Sequence, residues 1–576
     1  MTNSVTISGC VTYPDGVAAV GVTVMAVDVD SGADDPIGAM PVRPDGSFEL
    51  SATESELGGQ QEGPPEVQLY LFRNGSTVHE ETVEADPNST LDLTVERESH
   101  PSMEDVADAM CNMHHGMSGQ RGMDNVPRDP FHSGHGRFGR MFPYLEAADH
   151  DPEFLQELGR PGGPLDESTH DRSVGESSVP AGFAFLGQFI DHDITLDPLS
   201  SLARRNDPDA LRNFRTPELD LDSVYGTGPE TAPYLYESPM QGGDPERLLV
   251  ARDGRPDVPR NAEATALTGD HRNDENHILS QFQYAMLEFH NAILEWLGED
   301  CKDAFEHANR LARWHYQWIV LEEFLPTVCD PKVVDAVRTE RNHYTVGPGD
   351  EPLLPVEFAG AAYRYGHSRI RERYRVNEDT EAALFGRGDD AFGMGFEAPS
   401  AAEAIDWRYL FDLHDPDVVP QNARAIDSLL SPDLLDLPFL ESDDWRASLA
   451  SRNLVRGRQL GLPSGQAVAR AMGIDPLSNE QLGFEEILRD HGKHPDTEAP
   501  LWYYVLAEAR VASGGDHLGP VGSRIVAETL VGLIKSDPSS FLTVQPEWTP
   551  RLPAPNAGQN DFSVADLLEF ALGDDH

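Results

Sequence analysis

Apolar and polar residues change their spacing once along this chain, and the change divides it. Up to about residue 95 the period is two: Val5 and Ile7 alternate with Thr6 and Ser8, and Val67, Leu69 and Leu71 alternate with Gln68, Tyr70 and Phe72. A valine-rich run at 22–29 lies between them, and turn residues punctuate the series at Pro14-Asp15-Gly16, Asp45-Gly46 and Asn74-Gly75. Short strands joined by such turns predict an all-β sandwich over residues 1–95.

Beyond a polar connection near residues 96–104 the spacing becomes helical. Ile278, Phe282, Met286, Phe289, Ile293 and Trp296 recur every three or four residues, and 304–324 continues the pattern, so a helical hairpin with its apolar stripe on a core is expected. Phe183, Phe185, Leu186, Phe189 and Ile190, following Pro180, predict a buried helix with a proline at its start. Residues 112–180 are rich in Gly, Pro, His and Asp, and only 138–145 looks ordered by its apolar content. The expected architecture is therefore a mainly α domain over 96–576 behind the β module.

Composition narrows the partners. At 576 residues the chain is long enough for two or more cores, and 99 acidic against 43 basic residues give a formal charge of -56. Such a surface repels nucleic acid and anionic lipid, so neither is an expected partner. Lysine occurs only at Lys302, Lys332, Lys493 and Lys535, and a folded, acidic, lysine-poor chain suits a salt-adapted, halophilic protein whose carboxylate repulsion is screened. Cys10, Cys111, Cys301 and Cys329 show no C-x-x-C spacing, which points to neither a zinc site nor a dense disulfide framework. Without a basic, apolar leader or a membrane-length apolar run, the chain reads as cytoplasmic.

Five polar clusters carry the chemistry. Gly187-Gln188-Phe189-Ile190-Asp191-His192-Asp193 places an amide, an imidazole and two carboxylates on the buried helix, with Gln188 and His192 on one face at i, i+4. In the stretch 216–222, Thr216, Glu218, Asp220 and Asp222 alternate with apolar residues; an extended loop would turn their oxygens to one side, as a calcium ion requires, or leave them in solvent. Arg272 and Glu275, at i, i+3 before the long helix, can share a pocket, while Asn273 and Asp274 suit a helix cap. A cation at a helix start is electrostatically misplaced, so Arg272 has another use. Tyr363-Arg364-Tyr365-Gly366-His367 and Asn453-Leu454-Val455-Arg456 complete the set.

Taken in order, these clusters resemble the animal-type haem peroxidase superfamily, also called peroxidase–cyclooxygenase proteins, across roughly residues 105–570. With the salt-adapted composition, the resemblance suggests a prokaryotic member. It implies a haem b protein that reduces hydrogen peroxide through a ferryl intermediate and oxidises a halide or small organic donor, with a role in the response to oxidative stress. His192 would be the distal acid–base group, Arg272 would stabilise charge as the O–O bond breaks, and Gln188 would position water or peroxide. His367 would ligate iron, with Asn453 accepting its other ring N–H. Arg364 and Arg456 would meet haem propionates, Arg456 being open also to a surface salt bridge. Asp191 and Glu275 match carboxylates that can form esters to haem methyls. Asn276 replaces the methionine that makes a third link in the mammalian myeloid enzyme. The resemblance also strengthens the calcium reading, with Asp193, Thr216, Asp220 and Asp222 offering side-chain oxygens and Glu218 its carbonyl.

Two other readings stay open. A fatty-acid dioxygenase of the same superfamily carries a tyrosine three residues before the proximal histidine, where this chain has Arg364. A non-catalytic, haem-carrying or adhesive protein would place the work in the β module. That module loosely resembles carboxypeptidase-regulatory or transthyretin-like domains through Gly9, Asp15-Gly16 and Asp45-Gly46-Ser47-Phe48, a class that serves stability or binds protein or carbohydrate. Oligomeric state is not readable.

Overall fold

The computed structural model describes seven strands and a few adjoining residues between 4 and 94, and residues 136–573 apart from short stretches. Two compact units result, Met1–Ser133 and Gly134–His576. The expected turn at 14–16, residue Cys111 and the part of the arm at 112–135 lie outside the described residues.

In the first unit the strands are β1 (Ser4–Thr12), β2 (Val22–Asp28), β3 (Asp35–Pro41), β4 (Ser47–Thr53), β5 (Glu66–Arg73), β6 (Ser76–Glu84) and β7 (Thr90–Thr94). One sheet runs β4-β1-β7, with β1 and β7 parallel, and another runs β3-β2-β5-β6. β5 and β6 pair antiparallel from Arg73 and Ser76, and the expected turn at Asn74-Gly75 between them lies outside the described residues. Gly46 takes φ 87° at the start of β4, a left-handed conformation that glycine adopts without a Cβ clash. The residues of period two meet in one cluster: Ile7, Val24, Leu69 and Leu71 are fully buried with Val11 and Val22.

The second unit is mainly helical. Its longer helices are α1 (Pro152–Gly159), α2 (Gly182–Ile194), α3 (His277–Leu297), α4 (Ala304–Trp318), α5 (Pro331–Thr339), α6 (Leu449–Gln459), α7 (Leu501–Ser513), α8 (Pro520–Ser536) and α9 (Val564–Leu572). Asn276 caps α3 by accepting from Leu279 N, and Gly298 at φ 79° ends it. The expected hairpin is α3 against α4, which runs on through a π-helical turn at Ile319–Phe324. Ile278, Phe282, Met286, Phe289 and Ile293 are buried, but Trp296 is 49 % exposed because α3 outlasts its cover by a turn. α9 covers another face of α3, and α7 and α8 pack together.

The arm also departs from expectation. Residues 152–159 form α1, which packs against α6 and buries Leu155 and Leu158, while Phe154 meets Phe484 and His491. Two turns are too short for periodicity to reveal, although the Asp151 cap and Pro152 mark the start. Short strands Arg137–Gly139 and Glu176–Pro180 pair with Leu353–Pro355 and Asn422–Arg424. Pro180 therefore ends a strand, and α2 begins two residues later than its position suggested. Cys10, Cys301 and Cys329 are free thiols. Among the described residues no helix is long and apolar enough to cross a membrane.

His315 is a buried hub between α4 and the C-terminal segment. Its Nδ1–H donates to Leu311 O at 2.7 Å, while Nε2 accepts from Arg551 N at 3.1 Å. Only the neutral ring can do both, and burial pushes its pKa down from 6.5 to about 4. The unfolded chain takes up this proton where the fold refuses it. Its contribution is therefore whole above pH 6.5 and lost as pH falls towards 4, by up to about 3 kcal/mol. The stability difference between wild type and His315→Gln should narrow across that window in denaturant unfolding; a constant difference would refute the assignment.

Candidate active site

α2 carries the first cluster. Its His192 imidazole is fully buried, with Nδ1 2.8 Å from Asn273 Oδ1, and Asn273 Nδ2 donates to Gln283 Oε1 at 2.8 Å. With its N–H committed to Gln283, the Asn273 amide can only accept from the imidazole. The proton therefore sits on Nδ1 and Nε2 is left as the basic nitrogen. His192 Nε2 lies 3.6 Å from Glu275 Oε1, and Gln188 Nε2 donates to the same oxygen. Gln188 and His192, one turn apart, thus reach a single carboxyl, as the i, i+4 spacing requires.

Glu275 is the uncommon group here. Burial pushes its pKa well above the carboxylate range, against the pull of Arg272, and its Oε2 makes no hydrogen bond among the described residues. A neutral carboxyl beside a basic imidazole can hand protons or accept a polar ligand. Asn276 Nδ2 donates to Gln188 Oε1 at 3.4 Å, so the residue that caps α3 also touches the pocket. Asp191 is buried on the same helix.

Arg272 does not start a helix. It lies in a 3-10 turn, His271–Asp274, and its Nη2 donates to His192 O at 2.9 Å and Thr195 O at 2.5 Å at the C-terminal end of α2. The negative end of that helix dipole is where a cation belongs, which resolves the misplacement read from sequence. Asp270 holds it there, accepting from Arg272 Nε at 3.1 Å and Nη2 at 2.8 Å. Arg215 reaches the same carboxylate at 2.7 Å, and the two guanidiniums hold Asp270 well below the usual range despite its burial. Asp274, expected to cap a helix, instead pairs with Arg260 at 2.6 and 2.8 Å.

On the far side of α2, carboxylate oxygens of Asp193, Asp220 and Asp222 lie within 4.8 Å of one another. Burial and mutual repulsion push Asp193 up to about 8 and raise Asp220 and Asp222 as well, with Arg215 drawing Asp222 back. The loop alternates as expected: Pro217, Leu219 and Leu221 are buried, while Thr216, Glu218 and Asp220 are half-buried. Leu221 N and Ser223 Oγ donate to Asp193, fixing the loop to α2. Glu218 is pushed up to about 7 by burial, by the nearby Asp537 and by Asp222, and its carboxyl is not among the three that converge.

The remaining clusters meet in the 3-10 segment Ala362–Arg369, which packs against α2 and α7. Tyr363 OH donates to Gly187 O at 3.1 Å, tying this segment to α2. Asn453 Nδ2 lies 2.8 Å from His367 Nδ1, and Asn453 Oδ1 accepts from Arg364 Nη1 at 2.5 Å. The amide is thus turned opposite to expectation: it donates to the ring because Arg364 occupies its oxygen. Arg364 also donates from Nε to Ala359 O at 2.9 Å, and burial with the neighbouring Arg456 pushes it down to about 9. Arg456 is buried rather than in a surface salt bridge, bonded to Ser200 and 3.7 Å from Asp197.

Gln283, Asp270 and Arg215 carry contacts that the sequence reading gave no role, and Asn273, read as a cap, bonds His192 and Gln283 instead. Asn273 and Asp270 sit inside a motif already singled out, and Arg215 directly precedes the Thr216 loop; Gln283 left no signal.

Residues 200–494 match the animal haem peroxidase family profile, a stretch that includes Arg272, Glu275, His367 and Asn453, with α2 just before it. Chorion peroxidase of Drosophila melanogaster is 26% identical over 343 residues, covering 55% of this chain and 41% of the relative. Thyroid peroxidase of Mus musculus is 25% identical over 379 residues, covering 59% and 39%. The matches span less than half the length of either relative. Among solved structures, peroxidase A from Dictyostelium discoideum aligns with a TM-score of 0.52 at 16% identity, over 71% of this chain and 88% of that one. A variant of Oryza sativa fatty acid alpha-dioxygenase with palmitic acid gives 0.50 at 16%, over 77% and 81%. These likenesses identify the fold.

The Asp270 arrangement yields a test of stability. Asp270→Asn leaves two buried guanidiniums without their shared anion and should cost about 3–5 kcal/mol in denaturant unfolding. Glu486→Gln, at the exposed pair with Arg489, should change stability by less than about 1 kcal/mol. A loss of that small size at Asp270 would contradict the account.

Proposed function

Because this chain belongs to the animal haem peroxidase family, we propose that it is a haem-dependent peroxidase that reduces hydrogen peroxide at the expense of a halide or small organic donor. One observation carries the reading. His192, with Nδ1 committed to Asn273 and Nε2 facing Glu275, is a buried base held in one tautomer.

The residues fit a bound haem. Arg364, Arg452 and Arg456 are buried near His367 and Asn453, and Arg364 is lowered by burial first and by the neighbouring Arg456 and Arg452 after it. Two propionates would offset these positive charges. His367 would ligate the iron through Nε2, with the Asn453 amide at Nδ1; ligation needs the ring proton on Nδ1, so the amide would turn its oxygen to the ring when iron binds. Glu275, neutral and with an oxygen unbonded, suits an ester to the macrocycle, and buried Asp191 suits a second. A calcium ion fits the Asp193, Asp220 and Asp222 carboxylates, which burial first and the neighbouring carboxylates second hold above their usual range, a strain that a cation would relieve.

Haem iron supplies the redox chemistry; the chain's own groups manage protons and charge. His192 Nε2 takes a proton from the entering peroxide and returns it to the departing oxygen. Gln188 and Glu275 orient the water or peroxide beside it. Arg272, buried at the end of α2, provides a fixed positive field for the developing anion. The peroxidase and dioxygenase neighbours share one fold, so the fold does not choose between them. Arg364, three residues before His367 and bonded to Asn453, favours the peroxidase.

Residues 1–95 are assigned as a carboxypeptidase-regulatory or transthyretin-like β-sandwich with a binding or stabilising role, and 96–576 as the peroxidase domain. The charge of -56 is assigned to salt adaptation in a prokaryotic host, where the protein answers oxidative stress. On that assignment the unfolding temperature rises as KCl is raised to molar concentration, and a fall would sink it.

The purified protein should show a Soret band that survives acid-acetone extraction if the esters form. His192→Ala should slow peroxide-dependent dye or halide oxidation by about 10²–10⁴-fold with the band intact. Substitutions in β1–β7 should leave both readouts unchanged. Undiminished oxidation in His192→Ala would overturn the mechanism, and oxygen uptake with polyunsaturated fatty acid without peroxide would favour the dioxygenase.

A further inference from the structure

An unbroken run of charges joins the acidic trio to the pocket. Arg215 Nη1 lies 3.1 Å from Asp222 Oδ1, and its Nε donates to Asp270 Oδ2 at 2.8 Å. Asp270 in turn holds Arg272, whose Nη2 reaches the carbonyls of His192 and Thr195. The side chains of Arg215, Asp270 and Arg272 are 7%, 0% and 1% exposed, so their interactions are weakly screened. Arg215 is divided between two carboxylates, and Asp270 between two guanidiniums. Each therefore sits where a competition places it.

We propose that Arg215 and Asp270 are positioning residues that couple cation occupancy of the Asp193, Asp220 and Asp222 site to the placement of the Arg272 guanidinium. The proposal rests on the haem peroxidase reading above. A cation on Asp222 repels Arg215 and weakens its claim on that carboxylate, so Arg215 shifts its hydrogen bonding towards Asp270. Asp270, better compensated, loosens its hold on Arg272, which then serves an anion in the pocket. Without the cation Asp222 draws Arg215 back, and Asp270 clamps Arg272 to the end of α2. By linkage, an anion bound near Arg272 tightens the cation by the same factor.

The test uses the ferric holoprotein, with calcium followed by titration calorimetry and cyanide affinity by the Soret shift. In wild type, removing calcium with a chelator should weaken cyanide by about fivefold or more, and saturating cyanide should tighten calcium equally. Arg215→Gln should abolish this dependence and tighten calcium roughly tenfold, because Asp222 loses its competing partner. A merely structural role for Arg215 would loosen the calcium instead. Arg215→Lys, which keeps the charge and loses the fork, should uncouple the sites with calcium affinity near wild type, and it carries the test if Arg215→Gln does not fold. A cyanide affinity indifferent to calcium in wild type, or a dependence that persists in either variant, overturns the coupling. Absence of any Soret band overturns the haem reading and the coupling with it; a Soret band with calcium-independent cyanide binding overturns the coupling alone.

Discussion

The carboxylate of Asp270 is the constraint on which this site depends. It is almost wholly buried and accepts from Arg215, from both ends of the Arg272 guanidinium and from Arg272 N. Two arginines could not be buried so near each other without it. Through Arg215 it fixes the 216–222 loop, and through Arg272 it fixes the end of α2 that presents His192. A loop, a 3-10 turn and a helix distant in sequence are thus held together by one negative charge.

Charge is sorted around α2. One side gathers Asp193, Asp220 and Asp222, where burial and, after it, repulsion drive the pKa values up and a cation is wanted. Towards His367 the surplus is positive, with Arg364 lowered by burial and by Arg456. Between them His192 and Glu275 form a neutral pair in which burial opposes charging of the carboxyl. A prosthetic group with two carboxylates would satisfy the positive side and a divalent cation the acidic one, leaving the His192–Glu275 pair to face the pocket between them. The haem peroxidase reading explains this sorting in a way that an acidic binding protein would not.

The legible parts of the sequence were those whose physics is local. Period two marked β1 and β5 because alternate side chains share a core, a valine-rich run marked β2, and period 3.6 marked α2, α3 and α4 because one stripe is buried. The spacing of Gln188 and His192 alone places both on one face of α2, where the fold brings Glu275 to them. α1 escaped detection because two turns carry too few apolar positions, and Trp296 was misjudged because periodicity cannot say where a helix leaves its cover. Asp274 had the composition of a cap, but capping competes with pairing, and Arg260 is supplied by a loop that packs nearby.

The sequence by itself determined which chemical groups are present, their order, the helices and strands that carry them and the faces they share, since these follow from backbone periodicity and side-chain type. Only the tertiary structure decided which groups meet. That Asn273 and not solvent fixes the His192 tautomer, that Asn453 turns its N–H to His367 because Arg364 holds its oxygen, and that Arg272 lies on the carbonyls of α2 are outcomes of contacts across 80 or more residues of chain. The reason is that burial makes each polar group seek a partner, and which partner is within reach is set by packing rather than by neighbours in sequence.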